Sequence, residues 1–118
     1  MSIPISIYHN PRCSKSRQTL ALLTQNGIQP EIILYLENPP TAKALKQILN
    51  KLKIPARALL RRSENEYREL GLAETSLSET ALIEAMCRYP KLIERPVVVR
   101  GDRAVLGRPP ENVLTLLQ

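Results

Sequence analysis

The sequence predicts an α/β domain in which a βαβ unit and a ββα unit share a four-stranded mixed sheet, with a helical insertion over roughly residues 41–89 between them. Three observations carry this. Apolar residues alternate with small or polar ones up to Tyr8, and a helical pattern starts a few residues later. The stretch from Thr41 to about Tyr89 holds helix caps but no convincing strand. Two apolar runs flank Gly101-Asp102 as the arms of a hairpin would. A chain of 118 residues fits one domain, whose folding buries roughly two-thirds of the unfolded surface. With no Trp, no Phe and four Tyr, its core is expected to be aliphatic.

Ile3 to Tyr8 reads as the first strand, and Ser14 to Asn26 as a helix that presents Leu20, Leu22 and Leu23 and stops at Gly27. After Pro30, the nearly continuous apolar run Glu31-Ile32-Ile33-Leu34-Tyr35-Leu36 suits a strand covered on both faces. A right-handed crossover between these strands places Cys13 at the carboxyl end of the first, where open α/β folds gather their ligands. In the insertion, Thr41 is positioned to cap a helix carrying Leu45, Ile48, Leu49 and Leu52, and Pro55 suits the first turn of a second. Ser63-x-x-Glu66 has the form of a capping box for a third helix, ending at Gly71. Ser76-x-x-Glu79 has the same form for a fourth, with Leu82, Ile83 and Met86 inward. Arg95–Arg100 and Arg103–Leu106 form the hairpin around a two-residue turn, and a last helix runs from about Pro110 to Leu117. This element order is that of a thioredoxin-like core with helices inserted between its halves. No internal repeat, low-complexity tract or second-domain linker interrupts it.

The formal charge of +6, from 17 Lys and Arg against 11 Asp and Glu, favours anionic partners without choosing among them. No Lys/Arg block of five or more occurs, and the shortage of aromatic residues gives bases little to stack on, so no nucleic-acid partner is expected. The N-terminus lacks a basic start followed by a long apolar run, and nowhere do 18 apolar residues occur consecutively. The expectation is a soluble cytoplasmic protein with no membrane association. Cys13 and Cys87 lie far apart in sequence, and a structural disulfide between them is not expected in a reducing compartment.

Cys13 sits in Tyr8-His9-Asn10-Pro11-Arg12-Cys13-Ser14-Lys15-Ser16-Arg17, between a strand pattern and a helix start. Helix N-termini present unpaired N–H groups and partial positive charge, which stabilise a thiolate and hold a bound anion. A free thiol with pKa about 8.5 is roughly 3% ionised at pH 7, and lowering it by ~2 units makes it roughly three-quarters thiolate. Flanking charge argues against a Cys that merely fills the core. Ser16 stands where a dithiol oxidoreductase has its second Cys, so any cycle that oxidises Cys13 needs an outside thiol to complete it. Thr19, six residues after Cys13, rules out a Cys-x5-Arg phosphate loop. Cys87 reads as a half-buried packing residue. His9, the sole His, either tunes the thiolate or holds the loop by a hydrogen bond, or else is a partly exposed strand-end residue. Arg17, Arg61, Arg95 and Arg108 stand at element boundaries, and the planar guanidinium fork matches tetrahedral oxyanions. In a thioredoxin-like fold a Pro, usually cis, stands beside the active Cys, which places Arg95-Pro96 opposite Cys13.

Over nearly its whole length the chain resembles the glutaredoxin-dependent arsenate reductases and their close relatives. The resemblance is carried by Ile7-Tyr8-His9-Asn10-Pro11 with Cys13 and Ser16-Arg17, Tyr35-Leu36, Pro39-Pro40-Thr41, Arg57-Ala58-Leu59-Leu60-Arg61, Tyr67, Glu69-Leu70-Gly71-Leu72-Ala73, Arg95-Pro96-Val97-Val98-Val99 and Arg108-Pro109. It implies Cys13 as nucleophile, Arg61, Arg95 and Arg108 as an oxyanion-binding trio, and His9, Ser16 and Arg17 as supporting groups. The best-known members have Ala-Cys-Gly-Thr-Ser where this chain has Arg12-Cys13-Ser14-Lys15-Ser16.

The implied activity is reduction of arsenate to arsenite with no metal or bound cofactor, glutathione serving as cosubstrate and glutaredoxin as partner. Two alternatives stay open. One is a glutathione-dependent thiol oxidoreductase acting on a mixed disulfide or another oxyanion. The other is an RNA-polymerase-binding transcription regulator, a class whose members typically carry Cys-x-x-Cys as a redox switch; Ser16 counts against it.

Overall fold

A computed structural model describes residues 3–117. The chain divides into two compact units, one comprising the segment up to Asn38 together with the segment from Arg95 onward, the other Pro39–Glu94.

The first unit is built on a four-stranded sheet of β1 (Ile5–Tyr8), β2 (Glu31–Ile33), β3 (Val97–Arg100) and β4 (Arg103–Leu106), ordered β2-β1-β3-β4. β1 pairs parallel to β2, with Ile7 opposite Ile32, and antiparallel to β3, with Ile7 opposite Val98; β3 and β4 form the antiparallel hairpin. Alternation along β1 buries Ile5 and Ile7 and leaves Ser6 and Tyr8 half-buried, the pattern of a strand with one face on the core. Those residues pack with Leu23 from helix α1 (Ser14–Gln25), Val98, and Val113 and Leu116 from the C-terminal 3-10 helix Pro110–Leu117. The core is therefore aliphatic, as the composition requires. At the hairpin turn Gly101 has φ +61° while Asp102 stays at negative φ, the pattern of a type II′ turn. α1 ends in a Schellman motif: Ile28 N–H bonds Leu23 O and Gly27 N–H bonds Thr24 O, with Gly27 left-handed at φ +77°.

The second unit is helical: α2 (Ala42–Leu52), α3 (Ala56–Leu59), α4 (Asn65–Glu69), α5 (Glu79–Arg88) and a 3-10 turn at Pro90–Leu92. Thr41 caps α2 as expected, its Oγ1 accepting from Ala44 N–H at 3.1 Å, and Leu45, Ile48 and Leu49 are buried. Leu82, Ile83 and Met86 are the buried face of α5, also as expected. Arg57 braces the unit by donating to Leu72 O at 2.8 Å and Glu74 O at 2.9 Å. A single bridge pairs Leu60 with Ile93, closed by Arg61 N–H to Leu92 O and Glu94 N–H to Leu59 O, both 2.8 Å.

Six details differ from the sequence expectations. The first arm of the hairpin begins at Val97, because Arg95 and Pro96 precede the paired register. The first strand begins at Ile5, because Ile3 and Pro4 precede the paired register. β2 stops at Ile33, because the Leu34 carbonyl accepts from Glu37 and Asn38 N–H and turns the chain. β2 is an edge strand, so Ile32 stays 48% exposed instead of being covered on both faces. Neither predicted capping box forms. Ser78 caps α5 by accepting from Ala81 N–H at 3.1 Å, and Glu79 Oε2 instead accepts from Ala56 N–H at 2.8 Å; α4 starts after Glu64, not Ser63. Finally, the C-terminal helix is 3-10, its Leu116 carbonyl held by Arg100 and Arg103.

Candidate active site

The Cys13 loop is shaped by hydrogen bonds among its own short residues. His9 N–H bonds Ile33 O at 2.9 Å, continuing the β1–β2 pairing one residue past β1. Asn10 then turns the chain: its Oδ1 accepts from Arg12 N–H and its carbonyl from Cys13 N–H, each at 3.0 Å. Cys13 is left as the N-cap of α1, extended at φ −96°, ψ 123°, with its carbonyl accepting the first helical bond from Arg17 N–H. An N-cap Ser or Asp oxygen accepts from the N–H groups of the first turn. Here the N-cap side chain is a thiol.

Cys13 is 8% exposed. Burial pushes its thiol pKa up, but the Ser16 N–H bond, the Arg95 charge, the Lys15 N–H bond and an Arg95 side-chain hydrogen bond together outweigh it, and the pKa is lowered. Arg108 Nη1 lies 4.0 Å from Sγ and also donates to Arg95 O at 3.2 Å. Both arginines precede cis prolines, Arg95-Pro96 and Arg108-Pro109. The first was expected from the fold, the second was not.

Behind the sulfur, Ser16 is fully buried and its Oγ accepts from Asn10 N–H at 3.0 Å while lying 2.6 Å from His9 Nδ1. Burial and the Arg17 charge lower the His9 pKa, which favours the neutral ring. Arg17 itself donates to Pro11 O at 2.8 Å, tying the loop to the first turn of α1. Thus Cys13, Arg95, Arg108, His9, Ser16 and Arg17 are brought together in the sheet unit. Arg61 belongs to the helical unit, where its Nη1 pairs with Glu64 at 2.8 Å and its Nε with Glu94 at 3.6 Å.

Two positioning residues escaped the sequence reading. Thr19, fully buried on α1, donates through Oγ1 to Lys15 O at 2.8 Å, with Gly107 O 3.3 Å away. Gly107 N–H bonds Pro96 O at 2.9 Å, and a Cβ at Gly107 would run into Thr19 Oγ1, lie 2.8 Å from Pro96 Cγ and lie 2.9 Å from Thr19 Cγ2. Gly107 therefore lets the Arg108 loop close onto α1 and the Arg95-Pro96 turn. Its signal in the sequence was a Gly directly before Arg108-Pro109-Pro110. Among the described residues, no group of three or more His, Cys, Asp or Glu side chains could hold a metal ion, and no helix is long and apolar enough to cross a membrane.

The sequence model of the ArsC family matches residues 8–116. The chain belongs to the ArsC family. Arsenate reductase from Neisseria meningitidis is 46% identical over 114 residues, covering 96% of this chain and 97% of its own length. The uncharacterized protein YfgD of Escherichia coli K12 is 54% identical over 118 residues, covering 99% of both chains. The structure of arsenate reductase from Vibrio cholerae superposes with a TM-score of 0.94 at 49% identity over 98% of each chain. This ArsC-family chain thus has the thioredoxin-like α/β fold that its element order predicts.

Proposed function

We propose that this ArsC-family protein reduces arsenate to arsenite, with Cys13 as its single nucleophile and glutathione and glutaredoxin as reductants. The observation that carries the reading is a thiol whose pKa is lowered by two N–H groups and Arg95, with Arg108 4.0 Å from the sulfur. The same groups that stabilise the thiolate suit the negative charge of a tetrahedral oxyanion. Relatives named arsenate reductase at 46–47% identity over 96% of this chain support the substrate.

In this cycle the Cys13 thiolate attacks arsenic(V), and one arsenate oxygen takes up protons and leaves as water. Glutathione displaces a second oxygen as water, leaving arsenic bonded to both sulfurs. A glutaredoxin thiolate then attacks the glutathione sulfur. The sulfur–arsenic bond breaks with its electron pair kept by arsenic, giving arsenic(III) and a glutathione–glutaredoxin mixed disulfide. Water hydrolyses the remaining Cys13–arsenic bond and releases arsenite and the thiol. Two thiols are oxidised to one disulfide, which balances the two electrons. Such a cycle belongs in a reducing cytoplasm, and it needs no resident metal or cofactor. His9, Ser16 and Arg17 hold the loop in shape, while Arg95 and Arg108 bind the oxyanion. Arg61 is the third ligand implied by family resemblance, and its Nη1 and Nε already face the carboxylates of Glu64 and Glu94.

That double carboxylate hold on Arg61 also favours a second reading, a glutathione-dependent reductase of another substrate that engages only Cys13, Arg95 and Arg108. A coupled assay with arsenate, glutathione, glutaredoxin and a glutathione-reducing system separates the two. Arsenate-dependent turnover that disappears in Cys13→Ser supports the first; turnover surviving that substitution would sink the mechanism. No arsenate turnover, together with glutathionylation of Cys13 in mass spectra, selects the second.

A further inference from the structure

The oxyanion ligands occupy one side of Cys13. Arg95 precedes β3 and Arg108 follows β4, and both strands lie on the same side of β1 in the sheet order. On the other side, where β2 is the edge strand, a cavity of about 420 Å³ opens, lined by His9, Asn10, Pro11 and Arg12 from the Cys13 loop and by Leu34, Leu36 and Glu37 after β2. Its volume is in the range of small-ligand sites, roughly 300–1,000 Å³. The lining is mostly apolar and carries one cation and one carboxylate. Among the described residues neither the Arg12 nor the Glu37 side chain is held in an ion pair. Leu36 in this lining is 38% exposed.

We infer that this cavity seats the γ-glutamyl end of glutathione, Arg12 taking the α-carboxylate and Glu37 the α-ammonium. The inference rests on the reading of glutathione as the resolving thiol and adds where it docks. A γ-glutamyl head group carries opposite charges on one carbon, which a cavity with one Arg and one Glu complements, whereas a neutral thiol engages neither. Arg12 is the residue before Cys13, so its Cα is about 3.8 Å from that of the nucleophile, and an extended tripeptide spans roughly 10 Å. The thiol can therefore reach an arsenic bound to Cys13 while the head group stays in the cavity. The oxyanion then enters from one side of Cys13 and the reductant reaches the arsenic from the other.

The test uses S-methylglutathione, whose thioether cannot attack arsenic, so binding is read without turnover. Titration into the full chain should shift the amide resonances of His9, Asn10, Arg12, Leu34, Leu36 and Glu37. Glu37→Gln should weaken binding about threefold to fivefold, as should N-acetylation of the ligand, which removes its ammonium. In the double cycle, acetylation should cost Glu37→Gln nothing further. In the coupled assay Glu37→Gln should raise KM for glutathione with KM for arsenate unchanged. Shifts confined to other segments, or an acetylation penalty as large in Glu37→Gln as in the wild type, overturns the site. If arsenate is not reduced yet the cavity binds the thioether, the reductase reading fails and the site stands. If arsenate is reduced and the cavity does not respond, the site fails alone.

Discussion

Cys13 and Cys87 each occupy the end of a helix, one in each compact unit, and their surroundings drive them in opposite directions. Burial raises both pKa values. At Cys13, the N-cap of α1, two backbone N–H groups and Arg95 overcome that cost and the pKa falls. At Cys87, in the last turn of α5, the Glu84 carboxylate three residues earlier adds to it and the pKa rises. The helix end matters as much as the charged neighbours. N-termini offer unpaired N–H donors to an anion, and C-termini offer only carbonyls that repel one. Depth of burial does not decide the direction of the shift here; the sign of the local field does.

The sharpest way to break that contrast is to remove each thiol. Cys13→Ser should abolish arsenate turnover in the glutaredoxin-coupled assay, and Cys87→Ser should keep near wild-type rates. Equal losses would mean that Cys87 takes part in the cycle. Next in size, Arg95→Ala should lower kcat/KM for arsenate about a hundredfold, the scale for losing one charge-stabilising donor. It should also move Cys13 alkylation to higher pH, an effect that a general folding defect would not confine to one thiol.

A smaller effect is expected in the wild-type pH profiles. Mass-resolved alkylation should show Cys13 reacting at lower pH than Cys87, with Glu84→Gln shifting only Cys87 downward. The sign carries over to stability. Cys13, lowered on folding, contributes stability above its unfolded pKa, and this is lost as pH falls through the folded value. Cys87, raised on folding, contributes below its unfolded pKa and loses that contribution as pH rises through the folded value. Denaturation of the two Cys→Ser variants across the alkaline range should therefore diverge from wild type in opposite directions. The smallest effect concerns the opposite end of the helix that carries Cys87. Ser78→Ala should cost about 1 kcal/mol in urea denaturation, while Ser63→Ala and Ser76→Ala stay within about 0.5 kcal/mol. Cys13 alkylation should not respond to any of the three.

The parts of the fold legible in the sequence are those fixed by local pattern. α1, the Gly101-Asp102 turn and the Thr41 cap each depend on a handful of neighbouring residues and form as expected, and β1 forms two residues later than its apolar pattern starts. Errors arose where a distant group competed. Glu79 matched a capping box from Ser76, but its carboxylate is taken by Ala56 N–H, 23 positions away, and Ser78 caps α5 instead. The apolar run after Pro30 predicts a doubly covered strand because sequence alone does not show that β2 lies at the edge. At the candidate site, the Cys13 loop was legible as a strand-to-helix junction. The packing of Thr19 against Gly107, 88 positions apart, left only a Gly before Arg108-Pro109-Pro110 as its trace. Nor did composition reveal that Glu64 and Glu94 hold Arg61.

Gly107 has a practical consequence for anyone wishing to redirect the anion preference of this scaffold. Side-chain libraries at Arg95 and Arg108 sample charge and reach, but they stand on a backbone crossing that has no room for even a methyl group between Thr19 and Pro96. A combinatorial search that lets position 107 vary will fill with clones whose loop is displaced, and their inactivity will say nothing about specificity. Holding residues 19, 96 and 107 constant turns the same search into a direct comparison of guanidinium placements.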